Sequence, residues 1–283
     1  MRARILETVL RVLAGLAIAY VVLAILAWRY QEKLAFPGPR VRLIDPRAVG
    51  IADGEQVTIT TTDSVALRGW FLPPVPRTDG RHAPGLLWFY GNMETVSGLA
   101  PIVRELRPRG TALLILDYRG YGESEGTPTE DGLYRDADAA WAFLTAQPGI
   151  DPERIAIYGR SLGAAVALYL ADAQPVRAVV LDSPFSSAAA MAREHYAWLP
   201  RSLIRLSMNN VERARRLRVP LLVFHGTEDR IAPLPMGRAV AEAGHARELV
   251  LIEGAGHNDT YDVGGRRYRD KMQEFLRATL APR

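Results

Sequence analysis

The chain has 283 residues, 48% of them hydrophobic and 23% charged, a globular composition that fills the core of one α/β unit. Its net charge of +4 is uneven: seven Lys/Arg (Arg2, Arg4, Arg11, Arg29, Lys33, Arg40, Arg42) against Glu7 and Glu32 give residues 1–42 a charge of +5 and leave −1 for the rest, which argues against nucleic acid as a partner. Cysteine is absent, which excludes disulfides, thiolate catalysis and cysteine-held zinc.

Val12 to Trp28 is a run of 17 uncharged residues, at the lower limit for a helix that crosses a bilayer. Arg2, Arg4 and Arg11 precede it and favour a cytoplasmic N-terminus, with the remainder of the chain on the non-cytoplasmic side of the cell membrane. Arg29 and Lys33 follow it and oppose that bias. Two other readings stand beside the anchor. The small residues Ala17, Ala19 and Ala24 suit a cleaved signal peptide, and the run is also compatible with a helix buried in the core. The expected organisation is a membrane anchor and juxtamembrane linker over 1–42 and a folded domain over 43–283.

From Val57 onward strands alternate with helices. Val57–Thr62 and Ala66–Leu72 read as a hairpin turning at Asp63-Ser64 and ended by Pro73-Pro74-Val75-Pro76. Strand-length apolar runs follow at Leu86–Tyr90, Ala112–Asp117, Ile155–Tyr158, Ala178–Leu181, Pro220–His225 and Glu248–Ile252. Helical patterns fall at Met93–Leu106, Thr129–Ala146, Ser161–Ala173, Pro235–Ala243 and Gly265–Leu280. Strands apolar on both faces with helices between them predict an α/β fold, a mostly parallel sheet covered on both sides. The long connection at about 184–219 holds Phe185, Met191, Tyr196, Trp198, Leu199 and Met208, then a basic run from Arg213 to Arg218. It reads as a small helical cap over the active edge, or as a packed excursion without substrate contact.

Gly159-Arg160-Ser161-Leu162-Gly163 lies between a strand and a strongly helical run. G-x-S-x-G in that context is a nucleophile elbow: the glycines leave room for a sharp turn that lifts the Ser161 hydroxyl clear of the sheet, at a helix N-terminus that favours negative charge. Serine needs a base to take its proton. Of the five histidines, His257 in Gly254-Ala255-Gly256-His257 sits on a Gly-rich loop past the last strand, within reach of the elbow. His225 reads as structural, His82 and His245 as exposed, and His195 as part of the cap. Asp229, in the loop after the Leu221–His225 strand, is the acid that orients the imidazole, with Glu228 and Asp182 as alternatives. The oxyanion donors are expected from the backbone N–H groups of Leu162 and Asn92; the Asn92 side chain also reads as an N-cap for a helix from Met93. Asp117 to Gly126 reads as a structural loop bordering the site, with Ser124 a weaker candidate for substrate contact.

Four blocks occur in order: Tyr90-Gly91-Asn92, Asp117-Tyr118-Arg119-Gly120-Tyr121-Gly122, Gly159-Arg160-Ser161-Leu162-Gly163, and His225-Gly226-Thr227-Glu228-Asp229 with Gly256-His257. With Gln31 to Pro37 after the apolar run, the chain resembles the bud-emergence-type branch of the α/β-hydrolases, membrane-anchored serine hydrolases. The resemblance spans about Tyr30 to Leu280. It implies an α/β-hydrolase fold, Ser161, Asp229 and His257 as catalytic triad, and Asn92 and Leu162 as oxyanion donors. Many relatives have His where this chain has Tyr90, and the N-terminal cysteine cluster of relatives that remove palmitate is missing.

The expected activity is hydrolysis of a small-molecule or lipid carboxylic ester, thioester or amide through an acyl-enzyme, without metal or cofactor. A peptidase, an acyltransferase and a membrane-tethered binding or scaffold protein are the rivals, since the fold alone supports many chemistries.

Overall fold

The computed structural model describes residues 1–74 and 81–282; Val75 and Pro76, expected to help end the hairpin, lie outside them. Among the described residues, eight strands form one sheet: β1 (Glu55–Thr60), β2 (Ala66–Leu72), β3 (Ala83–Phe89), β4 (Ala112–Leu116), β5 (Ile150–Arg160), β6 (Ala178–Asp182), β7 (Leu221–Gly226) and β8 (Glu248–Ile252). Their order is β1-β2-β4-β3-β5-β6-β7-β8. β1 and β2 form the expected antiparallel hairpin, with Ser64 in the left-handed region at φ 64°. β2 also runs antiparallel to β4, and every pairing from β4 to β8 is parallel. Every residue of β3, β4, β6 and β7 is buried, which is why these strands read as unbroken apolar runs.

Among the described residues, seven α-helices follow the long N-terminal helix α1 (Arg2–Ala35): α2 (Ala100–Leu106), α3 (Glu130–Thr145), α4 (Leu162–Ala173), α5 (Ala188–His195), α6 (Asn210–Arg216), α7 (Leu234–Ala243) and α8 (Thr260–Leu280). α3, α4, α6 and α7 pack side by side over one face of the sheet; α2 and α8 pack together over the other. The sheet reverses its winding between β3 and β5, where strand order turns from one side to the other. In open α/β sheets, ligands bind at the carboxyl ends of the strands at such a switch point.

Three expectations are corrected. The helix read from Met93 starts at Ala100, after a 3₁₀ turn at Ser97–Leu99, because Pro101 lacks an N–H and is accommodated in a first helical turn. The helix read from Gly265 starts at Thr260 and is kinked at Gly265, where φ is 48°. The segment 184–219 divides in two. α5 and a 3₁₀ turn at Arg201–Leu203 lie over the site, whereas α6 packs on α4 and α7 in the body. The basic run goes with α6: Arg213 stacks 4.6 Å above Tyr134, and Arg216 pairs with Asp172 at 2.7 Å.

α1 is long and apolar enough to cross a membrane. A core-helix reading does not fit it, since Ala24 is its one buried residue. Its last turns are nevertheless tied to the domain. Gln31 Oε1 accepts from the backbone N–H of Arg205 at 2.7 Å, and the side-chain amide of Asn92 donates to the Ala35 carbonyl at 2.8 Å. The cap has a second clamp in Glu130, whose carboxylate accepts from Ser207 N–H, Ser207 Oγ, Met208 N–H and the Tyr134 hydroxyl. Burial pushes the Glu130 carboxyl upward, but these four donors outweigh it and hold the group below its ordinary value.

Candidate active site

β5 ends at Arg160 and α4 begins at Leu162, so Ser161 alone makes the turn, at φ 50° and ψ −110°. A non-glycine residue there is strained, and the neighbours show why it persists. A Cβ on Gly159 would lie 2.4 Å from the Gly163 carbonyl oxygen, and one on Gly163 would lie 2.1 Å from the Phe89 carbonyl oxygen. Only glycine fits both positions. The Ser161 backbone N–H donates to the Asp182 carbonyl on β6 at 2.9 Å, and the Ala164 N–H donates to the Ser161 carbonyl at 3.0 Å.

The Ser161 hydroxyl lies 2.7 Å from His257 Nε2, and His257 Nδ1 lies 2.7 Å from Asp229 Oδ2. The acceptors set the tautomer: Nδ1–H donates to the carboxylate, leaving Nε2 to accept from the serine. Asp229 Oδ1 accepts from the backbone N–H groups of Ile231 at 2.9 Å and Ala232 at 2.8 Å. Burial pushes the Asp229 carboxyl upward, yet the hydrogen bonds from His257 and the Ala232 N–H together bring it below its ordinary value. The acid is therefore ionised and fixed at neutral pH.

His225 lies behind Asp229. Its Nε2 donates to the Ala232 carbonyl at 2.8 Å, and burial lowers its pKa, so it is a neutral structural imidazole. Glu228 is exposed; Asp182 is buried and accepts from the hydroxyls of Thr260, Tyr268, Tyr158 and Ser183. Neither touches His257. His82 and His245 are exposed, and His195 bonds the Ile231 carbonyl at the cavity wall. Ser124 is fully buried, donating to the Asp117 carbonyl and accepting from the Arg68 N–H, so it is structural.

Asn92 and Leu162 both line the cavity above Ser161, and among the described residues neither backbone N–H has a protein acceptor. The Asn92 side chain is not an N-cap, because no helix starts there. Its Oδ1 accepts from the Tyr121 hydroxyl at 2.6 Å, and its amide reaches Ala35. The Asn92 loop is held from below by Asp117, which accepts from the Tyr90 hydroxyl at 2.8 Å and the Val96 N–H at 2.9 Å. Burial raises the Asp117 carboxyl to about 6 despite these bonds.

Sequence reasoning missed one pair. Arg160, the variable residue before Ser161, pairs with Glu94 and donates to the His257 carbonyl at 2.9 Å, while Glu94 accepts from the Gly91 N–H at 2.6 Å. One ion pair thus joins the oxyanion loop, the elbow and the histidine loop. Arg160 was visible inside the motif; Glu94 carried no signal.

The cavity holds about 630 Å³, within the range of small-molecule sites. Its floor includes Ser161 and His257, its cap wall includes Met191, Leu199 and Leu203, and another part of its wall is Ala27, Gln31, Leu34 and Ala35 of α1. Among the described residues, no group of three His, Asp or Glu side chains is placed to hold a metal ion.

A family model of the alpha/beta hydrolase fold matches residues 86–208. The chain is 32% identical over 197 residues to alpha/beta hydrolase domain-containing protein 17B of Xenopus laevis, covering 69% of this chain and 67% of the relative. The chain belongs to the α/β-hydrolase family. Its similarity extends to an uncharacterized protein of Mycobacterium tuberculosis, 38% identical over 254 residues and 89% of each chain. Among solved structures it resembles the Pyrococcus furiosus esterase Pf2001, with a TM-score of 0.68 and 22% identity over 86% of this chain and 99% of that one. At that identity the likeness speaks for the hydrolase fold.

Proposed function

We propose that the protein is a membrane-anchored serine hydrolase of carboxylic esters, of the bud-emergence type. The observation that carries the reading is the unbroken chain of hydrogen bonds from Ser161 through His257 to Asp229 at the floor of an apolar cavity. His257 Nε2 takes the Ser161 proton as the oxygen attacks the ester carbonyl, and the Asp229 carboxylate stabilises the imidazolium. The N–H groups of Asn92 and Leu162 receive the oxyanion. The imidazolium then protonates the leaving alcohol, and an acyl-enzyme forms on Ser161. Water, deprotonated by His257, attacks that ester and releases the acid and the free serine. Every proton lent is returned, and no metal or cofactor is needed.

The anchor is α1, kept in the mature chain. Two observations favour retention over cleavage: Gln31 clamps the cap, and Leu34 and Ala35 line the cavity. Arg2, Arg4 and Arg11 hold the N-terminus in the cytoplasm, which leaves the hydrolase domain on the non-cytoplasmic side.

The test is labelling with a fluorophosphonate, which reacts with activated serines. The wild-type chain is expected to label and Ser161→Ala to remain unlabelled; equal labelling of both would sink the assignment. Turnover of p-nitrophenyl esters of increasing chain length then ranks the acyl groups the cavity accepts.

A further inference from the structure

We propose that the cavity takes its acyl chain directly from the bilayer, so that the substrate is an ester of a membrane-resident lipid with an anionic headgroup. The proposal rests on the reading of Ser161 as the nucleophile, and it adds the substrate class and the route by which it arrives.

The first observation is the wall. Tyr20, Ala24, Ala27, Gln31 and Leu34 recur along one face of α1 at helical spacing. The Tyr20 hydroxyl donates to the Trp198 carbonyl at 3.1 Å, with the two rings edge to face at 6.3 Å. Ala24 is buried, and Ala27, Gln31 and Leu34 line the cavity. The helix that is long and apolar enough to cross a membrane is therefore also one side of the substrate chamber.

The second is depth. The uncharged run Val12–Trp28 has 17 residues and is about 25 Å long, against a hydrocarbon core of about 30 Å. So short a span has no slack: all of it must lie within the bilayer, with Trp28 at the far interface. Tyr20 is then about two turns, roughly 12 Å, inside that interface. Trp198 touches Tyr20, so the tip of the cap enters the leaflet beside the helix. That tip, Tyr196-Ala197-Trp198-Leu199-Pro200, carries no charge, and Tyr196 and Trp198 remain 53% and 47% exposed. In water the exposed parts of these rings would be apolar surface facing solvent; in a leaflet they are solvated by lipid.

The third is charge. Arg193, Arg201 and Arg205 are exposed on the cap elements that also carry the cavity lining, against Glu194 as the exposed acid of that stretch. The Arg205 guanidinium lies 5.0 Å over the Trp28 ring, which places a cation at the interfacial level. This set of cap arginines suits anionic lipid headgroups. With the head held there, the acyl chain reaches the apolar wall of Met191, Leu199, Leu203, Ile204, Leu206 and Met208 and the ester approaches Ser161, without the chain crossing water.

The chain has no cysteine, so single introduced cysteines give clean labels. A nitroxide at Tyr196→Cys and another at Glu153→Cys, exposed at the other end of the sheet, are compared in full-length protein reconstituted in phosphatidylcholine–phosphatidylglycerol vesicles. Position 196 is expected to be accessible to oxygen and shielded from a nickel chelate, and position 153 the reverse. Equal aqueous accessibility at both overturns the immersed cap. In the same vesicles, fatty acid release is expected to exceed that of Ser161→Ala at least tenfold and to be faster from phosphatidylglycerol than from phosphatidylcholine. Equal rates from the two lipids overturn the anionic headgroup. A protein that labels fully with fluorophosphonate yet releases no fatty acid overturns the lipid substrate while leaving ester hydrolysis intact. Loss of labelling overturns both.

Discussion

The guanidinium of Arg160 donates to the backbone carbonyl of His257 at 2.9 Å, so the residue beside Ser161 holds the loop that carries His257. Its other arm pairs with Glu94, which in turn fixes Gly91 beside the oxyanion loop. Arg160→Met removes that tie without removing any reacting group. Displacements near 1 Å at reacting atoms cost about a hundredfold in rate, so kcat/KM is expected to fall roughly 10- to 100-fold, mostly in kcat. Arg160→Lys is expected to recover part of it. Stability should fall by about 2 kcal/mol, less than for a fully buried pair because Glu94 keeps 21% of its side chain exposed. Steady-state kinetics and urea unfolding of the three proteins check both numbers.

Asp229→Asn separates orientation from mere presence. The asparagine oxygen can keep the Ile231 and Ala232 N–H bonds, but its amide would face His257 Nδ1 and select the wrong tautomer. Ester turnover is expected to fall by roughly 10³–10⁴-fold with the fold intact, read from kinetics and near-UV circular dichroism. A fall below tenfold would show that the carboxylate is not the orienting group.

Gly163→Ala tests the geometry of the elbow. The new methyl would lie 2.1 Å from the Phe89 carbonyl oxygen, and backbone on both sides must move. The expected cost is about 3 kcal/mol, with fluorophosphonate labelling lost in whatever fraction folds. Urea midpoints and labelling yield measure the two effects separately.

Asp117 makes stability depend on pH in a definite direction. Burial raises its carboxyl from an ordinary 3.8 to about 6, so between these values the folded protein holds a proton that the unfolded chain releases. Its contribution to stability is present in full below 3.8 and is lost as pH rises through about 6. The loss amounts to at most about 3 kcal/mol. Asp117→Asn, whose side-chain oxygen can still accept from Tyr90 and Val96, removes the dependence. Relative to the wild type, the variant is expected to gain stability between pH 4 and pH 7, measured by urea unfolding at both.

What was legible in the sequence was local. Strands β3, β4, β6 and β7 stood out because burial on both faces makes them apolar runs, and the elbow stood out because Gly159 and Gly163 flank Ser161 between a strand and a helix, Gly159 demanded by the Gly163 carbonyl one turn on and Gly163 by Phe89 at the end of β3. Asp229 and His257 stood out as candidates because each sits in a short loop after a strand, at a place set by chain order. The α2 start was misplaced because the loop Gly91 to Val96 is shaped by tertiary bonds to Asp117 and Tyr121, which periodicity does not record.

The order of the strands was decided by tertiary structure, and with it every partner that lies far along the chain. Glu94 meets Arg160 across 66 positions, and Gln31 meets Arg205 across 174. Pattern within a window reports what a segment does with its own neighbours. It does not report which distant segment the sheet brings beside it. That is why Ser161, Asp229 and His257 could be picked from sequence as candidates, whereas the use of an apolar N-terminal helix as a wall of their cavity could not.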